Sequence, residues 1–382
     1  MVSSSTLTGL TVLTTLLISV ATAQQDAIDF AKARGLLDRF NKGEELDKSD
    51  SEYLTKAKAA FQKKQANPKK VPMVSKPSIG LTPLTDLNGN SRYKGLAGGL
   101  YGHGENRPPQ AHLNAGLNEA AMIVPLDDQG KPNPTGRVVL VSLGMSNTTQ
   151  EFSEFMRLTK SDASISPNLM IVDGAQGGME ASAWSVPGKS TRMGRPDPWT
   201  VLETRLKQAG VSPKQVQVAW IKQARANPSS LGAFPKHSEA LADDLSEIVR
   251  KLRATYPNLR IAYLSSRIYA GNASTSLNPE PFSYESAFSV RTVILNQIAG
   301  QKDLAYQIKP VAPLLLWGPY LWADGTKGRA AGDLVWTRED FAEDGTHPSP
   351  IGQKKVAEQL LKFFKSDPTS QIWFLKPPEN NK

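Results

Sequence analysis

Asp344-Gly345-Thr346-His347 sets a carboxylate three positions before an imidazole in a Gly-containing turn, just ahead of an amphipathic stretch. At that spacing the carboxylate can orient the imidazole and stabilise its charged form, as a histidine that takes a proton from a hydroxyl requires. Far upstream, Gly144-Met145-Ser146-Asn147 follows an apolar run. Ser146 therefore stands at the carboxyl end of a predicted strand, where open α/β sheets bind their ligands. Two more strand ends lead into Asp173-Gly174-Ala175-Gln176-Gly177-Gly178 and Trp220-Ile221-Lys222-Gln223, the latter running on to Asn227. A Gly-rich turn presents bare backbone N–H groups, and a Gln or Asn adds a side-chain amide. Such donors make a cradle for developing negative charge, each worth about 3–4 kcal/mol in known hydrolases. Singly, each segment is more often a turn or a cap. Together, in this order, they supply a serine nucleophile, its base and the base's orienter.

The elements that must position these residues follow from hydrophobic periodicity. Short apolar, β-branched-rich runs at Val138–Leu143, Leu169–Val172, Val216–Ile221, Leu259–Leu264 and Pro313–Trp317 read as strands buried on both faces. Helical spacing appears at His112–Met122, Gln150–Thr159, Trp199–Ala209, Ser238–Tyr256 and Tyr284–Ile298. A last helix runs to about Phe364, capped by Ser349 with Pro350 at its first position. Strand–helix alternation predicts a three-layer α/β/α sandwich around a mainly parallel five-stranded sheet. Upstream, residues 24–66 read as a small helical appendage. Phe30, Leu36, Leu37 and Phe40 share one face, Tyr53, Leu54, Ala57 and Phe61 another, and Ser49 or Asp50 is the expected cap of the second helix. Residues 67–92 read as a Pro- and Lys-rich linker, 93–370 as the main domain, and 371–382 as a tail. The Gly-rich stretch Tyr93–Asn118 lacks the Gly-Lys-Ser/Thr of a phosphate loop and reads as a structured loop.

At the four segments named first the chain resembles the SGNH (GDSL-type) hydrolase superfamily, over roughly Val138 to Phe364. Gly144-Met145-Ser146-Asn147 is similar to its first block, with Met145 where Asp is common. Asp173 to Gly178, with Trp184, resembles the second block of sialate O-acetylesterase-like members, and Trp220-Ile221-Lys222-Gln223 loosely resembles the third. Asp344 to Gly352 matches the last block closely. The resemblance implies a flavodoxin-like SGNH fold and catalysis by Ser146, His347 and Asp344. It implies oxyanion donors at Ser146, Gly177 and Gln223, with Gly178 and Asn227 as alternatives. The implied substrate is an O-acyl, above all O-acetyl, ester on carbohydrate.

Trp184, Trp317, Tyr320 and Trp322 offer stacking surfaces for sugar rings or serve as local core, and Arg267 and Tyr269 could touch substrate. Other readings on the same scaffold are a lipase or thioesterase, and a catalytically silent carbohydrate-binding protein.

Composition bounds the remaining classes. The 382 residues carry 39% hydrophobic and 21% charged side chains, an ordinary globular balance. Residues 1–23, with an apolar run ending in Ala21-Thr22-Ala23 and no basic residue, read as a secretory leader or an uncleaved anchor, so the protein is expected to be secreted or periplasmic. There is no cysteine, which excludes disulfides and thiolate metal sites. The four histidines lie apart, so neither a metal nor another cofactor is expected. The net charge of +9 favours anionic surfaces. No helix-turn-helix or RNP-like pattern accompanies it, so nucleic acid is not an expected partner.

Overall fold

The computed structural model describes residues 28, 29, 32, 33, 35, 36, 39, 46–66, 76–192 and 194–377. The expected leader, residues 1–23, lies outside the described residues, as does the linker segment 67–75. The chain divides into two compact units, Met1–Lys69 and Lys70–Lys382.

In the first unit a helix, α1, spans Lys48–Ala66. Its cap is Asp47, whose Oδ1 accepts the Asp50 N–H at 2.8 Å, and not Ser49 or Asp50. Ala33, Leu36, Leu54 and Ala57 are buried, and the Tyr53 hydroxyl accepts the Asp29 N–H at 2.9 Å.

The second unit runs β1 (Arg92–Tyr93), β2 (Leu96–Ala97), α2 (Gln110–Ala121), β3 (Val138–Gly144), α3 (Ser146–Lys160), β4 (Leu169–Asp173), α4 (Ala181–Ser185), α5 (Lys189–Arg192), α6 (Pro198–Gln208), β5 (Val216–Lys222), α7 (Lys236–Thr255), β6 (Ile261–Ser265), α8 (Phe282–Ile298), β7 (Leu314–Trp317), α9 (Pro350–Ser366) and α10 (Gln371–Phe374). β1 and β2 form a small antiparallel ribbon; the other five strands form one parallel sheet in the order β4-β3-β5-β6-β7. Helices α2, α3, α9 and α10 cover one face, and α4, α6, α7 and α8 the other. This is the expected three-layer sandwich, with its switch in strand order between β3 and β5, where such sheets open a crevice. Every residue of β3, β5, β6 and β7 is buried, which is why those strands read as largely apolar runs, broken only by single polar residues such as Ser142 and Gln217.

Three boundaries differ from expectation. Helix α3 starts at Ser146 and not at Gln150, because Asn147, Thr148 and Thr149 are held in helical geometry by tertiary bonds that their weak propensity conceals. Residues 76–92 are no linker but a strap on the main unit. Leu84 is fully buried, its N–H donates to the Tyr320 hydroxyl at 3.0 Å, and Asp324 accepts from Ser78 Oγ and the Ile79 N–H at 2.5 and 2.8 Å. The start of the expected tail is core: Trp373 and Phe374 are buried, and Phe374 stacks on Phe364 and Phe155 with ring centroids 5.3 and 6.1 Å apart.

Phe374→Ala removes a ring from a closed aromatic cluster and should lower the unfolding free energy by about 3–5 kcal/mol, read by urea titration. A loss below about 1 kcal/mol would mean that the cluster closes without it.

Candidate active site

The crevice is built first by a close approach. At Gly144, the last residue of β3, an added Cβ would lie 2.2 Å from Thr148 Oγ1 and 2.6 Å from the Lys222 carbonyl. Only glycine lets β3, β5 and the first turn of α3 converge there. Thr148 Oγ1 closes the junction by donating to the Lys222 carbonyl at 2.8 Å. Ser146 then emerges half-buried as the first residue of α3, with Met145 as the extended cap. Its hydroxyl thus sits at the positive end of a fifteen-residue helix, where developing negative charge is favoured.

The loop ahead of α9 meets this hydroxyl. Ser146 Oγ lies 2.8 Å from His347 Nε2, and His347 Nδ1 lies 2.6 Å from Asp344 Oδ2. The other Asp344 oxygen accepts the backbone N–H groups of Thr346 and His347 at 3.0 and 2.9 Å. Partial burial pushes the Asp344 carboxyl up, but the hydrogen bonds from His347 and the two amides outweigh it and hold its pKa at about 2. His347 and Asp344 keep 26% and 30% of their side-chain surface exposed, so the pair is reachable from solvent. Ser349 caps α9 immediately afterwards, accepting the Gly352 N–H while donating to the Glu339 carbonyl at 2.6 Å.

Asn147 fastens the two segments together. Buried to 2% exposure, it donates Nδ2 to the Thr346 carbonyl at 2.9 Å. Thr275 adds a hydroxyl contact to Thr346 at 2.9 Å, and the Ser274 N–H reaches the Asp344 carbonyl at 2.9 Å. Deeper in α3 and at the end of β5 lies an ion pair with both side chains fully buried: Lys222 Nζ bonds both Glu151 oxygens, at 2.7 and 2.5 Å. Burial pulls the Lys222 ammonium down to about 8, against the attraction of Glu151. Neither Asn147 as a clamp nor this pair was read from the sequence. The available signal was a lone lysine at the end of a strand buried on both faces, where a charge must have a partner.

The remaining candidates divide. The Gln176 N–H donates to the Gly144 carbonyl at 3.1 Å, which sets the exposed Gly177-Gly178 turn beside the strand end that releases Ser146. Gln223 follows Lys222, the register partner of Gly144, but its Nε2 is directed at the Met179 carbonyl, 3.5 Å away, and its Oε1 has no partner. Asn227 is exposed with a φ of +50°, and its side chain accepts from Ser229 in the turn that it opens. Asp173 serves as a half-buried tie, accepting from Ser142 Oγ at 2.5 Å and from the Thr149 hydroxyl.

The substrate-contact expectations are overturned by burial. Trp184 is 1% exposed and packs edge-on against Trp199, with ring centroids 5.1 Å apart. Tyr269 and Trp322 have no exposed surface, their polar ends bonded to the Lys76 carbonyl and Glu280. A ring without an exposed face cannot stack a sugar. Arg267 is sealed as well, at 3% exposure, with Nε and Nη1 unpartnered; burial lowers its pKa while Glu151 and Glu280 oppose that. Trp317 and Tyr320 are nearly buried too, bonding the Leu100 carbonyl and the Leu84 N–H. They line a cleft of about 510 Å³ beyond β7 that includes none of Ser146, Asp344 or His347.

Among the described residues no cluster of His, Asp or Glu could hold a metal, and no helix is long and apolar enough to cross a membrane. No family model and no curated protein matches the sequence. Among solved structures the chain is similar to the lipase Lip_vut3 from a goat rumen metagenome, at 13% identity and a TM-score of 0.33, over 59% of this chain and 96% of that one. It is also similar to the protein YxiM of Bacillus subtilis, at 11% identity and 0.34, over 62% of this chain and 58% of the other. A further likeness is to an extracellular lipase from Streptomyces rimosus, at 10% identity and 0.27, over 59% and 100%. At these TM-scores the likenesses define neither activity nor substrate for this chain.

Two outcomes follow from the geometry. Lys222→Met strands a buried carboxylate and should cost about 3–5 kcal/mol of stability, and Lys222→Met with Glu151→Leu should recover most of it, as measured by urea unfolding. Because the Asp344 pKa is depressed in the folded state from an unfolded value of about 3.9, its contribution is fully present above pH 4 and disappears as pH falls through about 2. The difference in urea midpoint between the parent and Asp344→Asn should therefore shrink between pH 5 and pH 2.5.

Proposed function

We propose that the chain is a serine ester hydrolase whose nucleophile is Ser146. One observation carries the reading: the unbroken chain of contacts from Ser146 Oγ through His347 to Asp344, at 2.8 and 2.6 Å, on a half-buried serine at the carboxyl edge of a parallel sheet. His347 Nε2 takes the Ser146 proton as Oγ attacks the ester carbonyl carbon. Asp344 holds the Nδ1–H tautomer and stabilises the imidazolium that forms. The carbonyl oxygen, now anionic, receives N–H donors from the start of α3 and the Gly177-Gly178 turn. His347 then passes its proton to the departing alcohol. Water, deprotonated by the same imidazole, attacks the acyl-serine, releasing the carboxylic acid and restoring the hydroxyl.

We propose further that the ester is a short O-acyl group, acetyl above all, on carbohydrate, and that the protein works outside the cytoplasm. The block resemblance supports the first and the leader-like residues 1–23 the second. The buried tryptophans lend no support to sugar stacking, so the contacts to the acceptor must come from exposed loop residues around the crevice.

Ser146→Ala and His347→Ala should each remove hydrolysis of 4-nitrophenyl acetate, and Ser146→Ala should remove labelling by a fluorophosphonate. Full turnover in purified Ser146→Ala would sink the nucleophile assignment. Acetate release from acetylated polysaccharides, compared with hydrolysis of long-chain acyl esters, tests the acyl preference.

A further inference from the structure

The turn beside the nucleophile has an orientation that its own residues do not determine. The Met179 N–H donates to the Gln176 carbonyl at 3.2 Å, and Gly178, the third residue of this four-residue turn, has a φ of +74°. That is a type II turn. Type I and type II turns differ by a half-rotation of the central peptide, here the one joining Gly177 to Gly178. With glycine on both sides of that peptide, neither form carries a Cβ penalty. Some outside contact must therefore select one.

The selecting contact is a guanidinium. Arg195 Nη1 donates to the Gly177 carbonyl at 3.0 Å, and a Cβ on Gly178 would lie 1.9 Å from that same nitrogen, so the guanidinium rests against the turn. Among the described residues the Gly177 carbonyl has no other partner, and the N–H groups of Gly177 and Gly178 have no acceptor. Arg195 forms no ion pair with any described carboxylate. Its own backbone is anchored, the N–H on the Ser190 carbonyl at 3.0 Å, with Asp197 capping α6 just beyond. In a trans peptide the N–H points opposite to the carbonyl. Holding the Gly177 carbonyl thus aims the Gly178 N–H away from Arg195 and leaves it free to donate.

We propose that Arg195 is a positioning residue that latches the Gly177–Gly178 peptide in its type II orientation and so fixes the turn's contribution to the oxyanion cradle. This rests on the ester-hydrolase reading of Ser146. Arg195 touches neither substrate nor reacting atoms. Its effect is on the fraction of molecules in which the Gly178 N–H is presented, and that fraction scales kcat without altering how the ester is bound. The peptide also explains why the alternatives Gly177 and Gly178 could not be separated by sequence: the contact that decides between them lies seventeen residues away from the nearer one.

The test compares the parent with Arg195→Ala and Arg195→Lys on 4-nitrophenyl acetate, with the rate of fluorophosphonate labelling measured on each. In Arg195→Ala, kcat should fall about tenfold or more while KM stays within about twofold, and labelling should slow by the same factor as kcat. Arg195→Lys should retain more of both rates, and added guanidinium ion should raise the Arg195→Ala rate without raising that of the parent. Unchanged kcat and labelling in Arg195→Ala would overturn the proposal. A raised KM at constant kcat would overturn it too, since Arg195 would then be a substrate contact. A folded parent protein that neither hydrolyses the ester nor takes the label overturns the ester-hydrolase reading itself, and the latch with it.

Discussion

A buried side-chain amide ties the two halves of the site together where they meet. Ser146 and His347 lie 201 residues apart, and the hydrogen bond between them forms only if the start of α3 and the loop ahead of α9 hold one relative position. Asn147 sets that position by donating to the Thr346 carbonyl from inside the protein. Because Asn147 follows Ser146 directly in α3, the bond ties the helix that begins with this hydroxyl to the loop that carries the imidazole. A longer tether would let the loop move by more than the few tenths of an ångström that separate a hydrogen bond from a mere contact. The Asp344 carboxylate then acts within its loop, accepting two backbone amides so that the loop is rigid before it meets the helix.

The Lys222–Glu151 pair is the second constraint, and it has a different character. Sealing two charges under the crevice is costly, and similar apolar residues would pack there with no such penalty. What the pair does is specify: a strand end and a helix that slide against each other by one position separate the charges and lose the whole attraction. Apolar contacts between α3 and the sheet, such as the stacking of Phe152 on Trp220 at 5.5 Å, resist sliding much less sharply. The pair and the Thr148–Lys222 bond therefore fix the register of α3 on β5, and the clamp at Asn147 inherits that register.

This explains which parts were legible beforehand. Strands buried on both faces need apolar residues at consecutive positions, so β3, β5, β6 and β7 announce themselves, and their order with intervening helices defines the sandwich. The grouping of Ser146, His347 and Asp344 was legible because they sit in short segments whose spacing has chemical meaning. The beginning of α3 was not, since Ser, Asn and Thr favour caps and turns, and only tertiary bonds make them helical here. Nor was the fate of the aromatics, for a tryptophan after a strand end serves equally as platform or core. The choice falls to neighbours such as Trp199 beside Trp184 and Glu280 beside Trp322, which no local pattern reveals. The strap at residues 76–92 hid for a related reason. Its prolines forbid regular structure, yet the chain still buries Leu84 and satisfies Asp324.

The same contrast between interior and rim bears on what the proposed ester hydrolase could bind. With Trp184, Tyr269 and Trp322 committed to packing, the exposed neighbours of the Ser146–His347 contact include the Gly177-Gly178 turn and Ser274, which bonds the Asp344 carbonyl. Such residues present donors and acceptors more than apolar area, and on the proposed ester-hydrolase reading they would favour a compact polar acceptor over a long acyl chain, since the latter gains affinity chiefly by burying methylenes. Binding energy at a site of this kind comes from a few well-oriented polar contacts. Orientation of the loops therefore matters more here than their area.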